Sequence, residues 1–487
     1  MVKTIGNVQK DAQVRAVASG ALSNGDTIIV NSDGTVSAVS GNDEGAGTPA
    51  TISNDASPSF ILSEVQAVYD SVNNKIVVAY YKDTTGYYGK AAVGTISGSS
   101  ISFGTPVTFI SASLQGLGLT YDSNEEKIFI SFVNKDNSNY LTGVVGTVSG
   151  TSISFGTNTV FYSSSVTNQQ CAFDSTNNKV LSVFRQGNGF GVAKVVTISG
   201  NSFSSGNTAV FNTGNIGDPS LAFSTSAGKF VLVYSDNDQL GHSQYIVGTI
   251  SGTSVSFGTE GDMNNVSSSR NEIAYDAGTD KFIAVYWDAA ASYAGKARVG
   301  TLSGTTVSWG SIAVFNSGST TFPAVATDGN GKAVITYTDL GNSGYPTFIS
   351  AEISGTTLTF GSEIVIDTVN SESGSIIGAS LPAYDTSAGK FAYPYTDVTN
   401  SLLEAAVLQL ASTNLTSDNF IGFADGAYAD TQSAVINTTC SVARNQTSLT
   451  AGQKYYVQTD GALGLTPANP SVEAGTAISS TEILVKG

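Results

Sequence analysis

Histidine, cysteine and tryptophan are nearly missing from this chain, and charge is scarce. Among 487 residues there are one histidine, two cysteines and two tryptophans, and only 12% of residues are charged. The cysteines, Cys171 and Cys440, lie in distant segments, so no disulfide framework is expected. The lone His242, in "QLGHSQ", leaves no partner for a zinc site of imidazoles and thiolates. A Ser-His-Asp triad would depend wholly on it, and neither GxSxG nor another nucleophile signature surrounds it. No EF-hand-like loop occurs, so no metal and no other cofactor is expected. Lys and Arg total 21 against 38 Asp and Glu, a formal charge of −17, which argues against nucleic acid as a partner. No apolar run approaches the roughly 18 residues of a membrane span, and "MVKTIGNVQKDAQ" lacks the apolar region of a secretory signal. Synthesis in a cytoplasm, without membrane insertion, is expected.

What is present is glycine (53 residues) with abundant Ser, Thr, Val and Tyr, a mixture for strands and tight turns. No long amphipathic helix can be read, so the chain is expected to be all-β. One phrase recurs: "VGTISGSSISFGT" (93–105), "VGTVSGTSISFGT" (145–157), "VGTISGTSVSFGT" (247–259) and "VGTLSGTTVSWGS" (299–311), with weaker copies at 195–207 and 350–362. Each reads as a hairpin whose turn glycine supplies φ > 0: Gly98, Gly150, Gly200, Gly252, Gly304 and Gly355. Their spacing of 50–52 residues, with four short strands per period, is that of a β-propeller.

A second phrase precedes each hairpin and occurs seven times, as in "AVYDSVNNKIVVAYYKD" (67–83) and "PAYDTSAGKFAYPYTD" (382–397). It reads as two strands around a polar turn. Its lysines, Lys75, Lys127, Lys179, Lys229, Lys281, Lys332 and Lys390, read as solvated strand starts. Its aromatics, Tyr80, Phe132, Phe184, Tyr234, Tyr286, Tyr337 and Tyr395, read as fillers between blades. The seventh copy has no hairpin after "LLEAAVLQL" (402–410), whereas "GTPATIS" (47–53) matches the outer-strand segment "GTPVTFIS" (104–111). The expectation is a seven-bladed propeller of four-stranded blades over 46–411, its ring closed by strand 47–53. The ends, "ALSNGDTIIVNSDGTV" (21–36) and "SLTAGQKYYVQTDGAL" (448–463), align without a gap as hairpins with DG turns. Residues 1–45 and 412–487 are therefore expected to form the two halves of a small β base domain.

The connections between second and third strands differ from blade to blade, and binding usually lives in loops on a rigid scaffold. Each combines an aromatic with Asn, Asp or Gln, a mixture that suits a sugar's C–H faces and hydroxyls. The candidate ligand-binding residues are Tyr87, Tyr88, Tyr140, Phe190, Tyr245, Tyr293 and Tyr345. The bland alternative is that these rings merely begin the third strand and tuck under the rim.

The C-terminal stretch, with "SLTAGQKYYVQTDGALGL" and the ending "AGTAISSTEILVKG", resembles the terminal module of structural proteins from marine tailed bacteriophages, over about the last seventy residues. The resemblance implies a virion protein, a fibre or attachment protein or a capsid decoration. Other virion proteins are then expected as partners through the base, with a homo-oligomer such as a fibre's trimer, although no heptad or triple-β-helix pattern is present. The loop residues add a host-surface glycan as the expected ligand. The resemblance carries over no catalytic residue. Sialidases are similar in blade shape, but they grip substrate with three arginines. This chain has only Arg15, Arg185, Arg270, Arg298 and Arg444, two of them in the terminal segments, and the aspartate-box pattern is absent. No enzymatic activity is expected. A decoration protein without a receptor and a glycan-degrading propeller are the alternatives.

Overall fold

The structure, a computed structural model, describes residues 12–54, 62–82, 88–371, 380–468 and 470–486. Among them there is no α-helix, only strands, turns and four short 3-10 turns. The chain divides into two compact units, one of residues 46–409 and one of residues 1–45 with 410–487.

The larger unit is a run of antiparallel meanders. In each repeat the turn after the first strand is organised by a side-chain acceptor at its start, buried in all but the sixth. Asp174 accepts from the Thr176 N–H (2.8 Å) and the Asn177 N–H (2.9 Å), and Asp385 does the same with Ser387 (2.9 Å) and Ala388 (3.0 Å). These are Asx turns. In the fourth repeat Ser224 Oγ takes the role, accepting from Ala227 N–H at 3.1 Å. The residue before each repeat lysine then has positive φ, for example Asn74 (51°), Asn178 (53°) and Gly389 (65°). The second strands follow, such as Lys127–Asn134 and Lys229–Asp236.

The hairpin turns also behave alike. Ser149 pairs with Ser152 and Ser251 with Ser254, leaving two-residue loops with glycine first. All six turn glycines have φ of 57–62°. Glycine first with positive φ, followed by an ordinary residue, is the II′ pattern that matches strand twist. Two of the repeat lysines are latched to these turns: Lys229 Nζ donates to the Gly304 carbonyl (2.7 Å) and Lys390 Nζ to that of Gly98 (2.8 Å). In three repeats the outer strand runs on without a break into the next first strand, as in Thr159–Asp174, Gly261–Asp276 and Ala313–Thr327.

Core packing falls between neighbouring sheets. Tyr80, Phe132, Phe184, Tyr234, Tyr286, Tyr337 and Tyr395 are at most 1% exposed and are among the largest buried side chains. The first strands of successive repeats lie side by side, and Ser380–Leu381 pairs in parallel with Leu62–Asp70 (Ser380↔Val65). Strand Ala50–Ser53 pairs antiparallel with Leu402–Gln409 (Leu403↔Ser53). Cys171 is buried, with its thiol pushed up to about 12 by desolvation, and Cys440 is exposed; both are free.

The smaller unit holds two five-stranded sheets. One joins Gln13–Val17, Ser433–Asn437, Phe420–Ala424, Thr27–Val30 and Val36–Ala38, so both chain ends contribute to it. The other contains Lys454–Val457, Leu463–Gly464 and Val472–Ala477, edged by Ile483–Val485 and Val442–Ala443. The two DG hairpins turn at Gly34 (φ 84°) and Gly461 (φ 89°).

Candidate functional site

Every repeat of the larger unit has two ends. At one lie the Asx turn and the glycine hairpin, nearly the same each time. At the other lie the connection from second to third strand and the entry into the next first strand. These differ between repeats over a common backbone. In four repeats the loop is a 3-10 turn, Lys135–Asn137, Asn237–Gln239, Ala289–Ala291 or Leu340–Asn342, followed by a residue of φ 56–61°. Asp236, Asp288 and Asp339 cap three of these turns, each accepting from the N–H two residues on at 2.9 Å. That capping explains why the carboxylates recur at equivalent positions.

The seven aromatics chosen from sequence meet different fates. Tyr87 lies outside the described residues. Tyr88, Tyr140 and Tyr345 are half-buried where the third strand begins, and Lys90 Nζ sits 4.2 Å over the Tyr88 ring. Phe190 packs on the cluster of Val166 and Phe184. Tyr245 is a correction: it is 7% exposed, 6.0 Å from Trp309 between ring centroids, and belongs to the core. The cause is Gly261 opposite it, where a Cβ would come within 2.6 Å of the Tyr245 ring. Tyr293 is 47% exposed, has φ of 64° and lies 5.0 Å from the half-buried Trp287, which sequence reasoning passed over. Among the described residues no ring contact joins any two of the seven.

A second set of residues was missed. In the first six repeats the first strand enters the sheet through a register shift, for example between Gln115 and Leu117, Gly217 and Ser220, or Ser269 and Glu272. The position six residues before the Asx acceptor falls in that shift. It holds Glu64, Gly116, Asn168, Asp218, Arg270 and Phe322 in the first six repeats. Four of them have positive φ: Gly116 (69°), Asp218 (45°), Arg270 (56°) and Phe322 (51°). For side chains other than glycine that conformation costs about 1–2 kcal/mol. Little in the sequence pointed to it, because the residues on either side of this position vary from repeat to repeat as well.

These positions converge. Asp218 accepts from Ser269 Oγ (2.7 Å), Arg270 N–H (3.1 Å) and Asn168 Nδ2 (3.2 Å), with the Arg270 guanidinium at 3.8 Å. Arg270 lies 5.0 Å over the Phe322 ring. Glu64 accepts from the Leu117 N–H, and Glu272 from Ser220 Oγ at 2.7 Å. Desolvation pushes both glutamates up to about 8, and the charge of Asp218 adds to the rise in each. The space among them is about 50 Å³, enough for ordered water and too small for a sugar ring.

A larger cleft, of about 460 Å³, opens at the same end of the fourth repeat and is lined by Phe211, Asn212, Asp236 and Glu260, with Val210 at its edge. Glu260 accepts from the Tyr234 hydroxyl and from Asn212 Nδ2 (2.6 Å), and Gln239 Nε2 lies between Glu260 (3.4 Å) and Asp236 (3.1 Å). Burial, with Glu260 beside it, raises the Tyr234 hydroxyl far above its ordinary value, so it stays protonated and donates. Among the described residues no group of three or more His, Cys, Asp or Glu side chains could hold a metal ion.

No protein-family model matches the chain, and no curated protein matches it. Solved structures do. The chain is similar to BP39L lectin from Burkholderia pseudomallei, with a TM-score of 0.56 and 9% identity over 73% of this chain and 98% of that one. It is less similar to the β-propeller domain of Myceliophteria thermophila Cps50 (Swd1), with a TM-score of 0.49 and 6% identity over 75% of this chain and 99% of that one. The K499G mutant of NanB sialidase from Streptococcus pneumoniae has a TM-score of 0.46 and 8% identity over 61% of this chain and 68% of that one. The chain thus has a β-propeller fold, and at such identities the likeness extends to fold alone. No helix among the described residues is long and apolar enough to cross a membrane.

Proposed function

We propose that this chain is a phage virion protein whose seven-bladed propeller displays a glycan-binding surface at the loop end of its blades. Its terminal β unit joins it to other virion proteins or to sister copies. The observation that carries the binding role is the asymmetry of the repeats. The turn end keeps its acceptor and hairpin geometry while the loop end varies, and the cleft of about 460 Å³ opens at the loop end, within the range of small-ligand sites. The blade count is supported by seven first strands in succession, the parallel pairing of Ser380 with Val65, and the strand Ala50–Ser53 added to the last sheet. The virion role is supported by the resemblance of the last seventy or so residues to phage terminal modules. A lectin is among the solved structures of similar fold.

Two measurements test this reading. Immunogold electron microscopy with antibody against residues 46–411 is expected to label tails or projecting fibres of the phage particles. Label over the head would favour decoration, and unlabelled particles would remove the virion role. The purified chain is expected to bind host cells, and Trp287→Ala with Tyr293→Ala is expected to weaken that binding. Release of reducing ends from host polysaccharide would turn the reading to a glycan-cleaving enzyme.

A further inference from the structure

The segment that lines the cleft of the fourth repeat has a counterpart two repeats on. The segment "VFNTGN" (210–215) matches "VFNSGS" (314–319), and both follow an outer hairpin. Gly214 N–H donates to Asn212 Oδ1 at 2.6 Å, and Gly318 N–H donates to Asn316 Oδ1 at 2.7 Å. The Tyr234 hydroxyl donates to Glu260, and that of Tyr337 donates to Glu363 at 2.8 Å. Asp236 and Asp339 cap the adjoining 3-10 turns in the same way. Val210 and Val314 are each 49% exposed at the edge.

The glutamates are not a requirement of the framework. In the intervening repeat the position of Glu260 and Glu363 is Ile312, and the Tyr286 hydroxyl is buried there with no hydrogen-bond partner. A sheet that tolerates an unpartnered tyrosine in one repeat does not need a glutamate in its neighbours. The acid recurs only where the Phe-Asn-(Thr/Ser)-Gly turn also recurs.

We propose that Asn212 and Glu260 with Asp236, and Asn316 and Glu363 with Asp339, each glutamate held from behind by a buried tyrosine hydroxyl, form two copies of one binding site for a polyhydroxylated, non-anionic ligand. That ligand is a neutral or amino sugar. The inference rests on the glycan-binding reading and narrows it to a charge class and a stoichiometry. Ionised carboxylates are acceptors only, so the ligand must donate, through hydroxyls or an ammonium group. The donors nearest them are already committed: the Asn212 amide and the Tyr234 hydroxyl to Glu260, the Tyr337 hydroxyl to Glu363, and the Asn316 amide to Asp339 at 3.5 Å. No Lys or Arg lines the cleft, so an acidic sugar would meet unscreened repulsion there. An exposed valine at the edge suits a sugar's C–H face. Two sites on one rigid unit would also raise affinity for a polymer through effective concentration.

Calorimetric titration of the full chain with tetraglucosamine, cellotetraose and tetragalacturonate tests this. One of the first two is expected to bind at two per chain, and tetragalacturonate at least tenfold more weakly. Glu260→Gln and Glu363→Gln should each reduce the stoichiometry to one, and the double variant should abolish binding. Glutamine still accepts from the tyrosine hydroxyl, so the fold is retained. Val210→Lys with Val314→Lys, at exposed positions, repeats the test without touching a buried hydrogen bond and should weaken tetraglucosamine at least tenfold. Tightest binding of tetragalacturonate overturns the ligand class, and one site in the unaltered chain overturns the duplication. Binding untouched in both double variants overturns the location while leaving glycan binding in place. Failure of all three sugars overturns the inference, and binding to host cells then decides the broader reading separately.

Discussion

The two ends of each propeller repeat were built under different constraints. At the turn end, Asp70, Asp122, Asp174 and Asp385 accept the same backbone N–H groups, and six glycines share one φ range. At the loop end the backbone again repeats, through capped 3-10 turns, but the side chains do not. Glu64, Asn168, Asp218, Arg270 and Phe322 stand at a single repeat position. The lesson is that repetition here marks what holds the sheets, and the loop end varies over a common backbone.

That contrast can be broken or sharpened by measurement. The largest effect is expected midway between the ends. Phe132 is fully buried with its ring 5.4 Å from Phe109, so Phe132→Ala should lower unfolding free energy by about 3–5 kcal/mol in a denaturant titration. A loss below 1 kcal/mol would mean that the repeated aromatics are not the core.

Next comes the pH dependence of the central cluster. Glu64 and Glu272 have folded values raised to about 8 from an ordinary 4.5, so the folded state holds protons that the unfolded chain releases. Their contribution is complete below about pH 4.5 and is lost as pH rises through 8. The melting temperature should therefore fall between pH 5 and pH 8, and Glu64→Gln with Glu272→Gln should flatten the fall. An unchanged slope in that variant would show the cluster is already ionised.

Asp174→Ala removes a buried acceptor of three hydrogen bonds at the turn end and is expected to cost about 1–3 kcal/mol. The smallest effect belongs to the loop end. Tyr293→Ala, at an exposed ring with positive φ, should change stability by no more than about 0.5 kcal/mol while reducing cell binding. Equal losses for Asp174→Ala and Tyr293→Ala would erase the distinction between the ends.

Much of the sheet was legible beforehand because its signals are local. Hairpin glycines announce φ > 0 within two residues, and a short apolar run such as "KIFISFVN" after a polar turn marks strand Lys127–Asn134. The loop aromatics were less legible. Tyr140 and Tyr345 begin their strands half-buried, and Tyr245 sinks into the core because Gly261, sixteen residues on, leaves room for its ring. Trp287 was overlooked because its exposure depends on how Tyr293 leans against it. The cleft escaped notice because Asn212 and Glu260 meet across neighbouring outer strands, 48 positions apart.

The sequence by itself determined the all-β class, the period, the turns and the aromatic layer, since each follows from contacts within a few residues repeated along the chain. Only the tertiary structure decided which side chains share a site. Register shifts at the entry of the first strands bring Glu64, Asp218, Arg270 and Glu272, from three repeats, around one small cavity. A shift of a single residue turns a side chain to the opposite face, and that shift is set by packing against segments some fifty residues away.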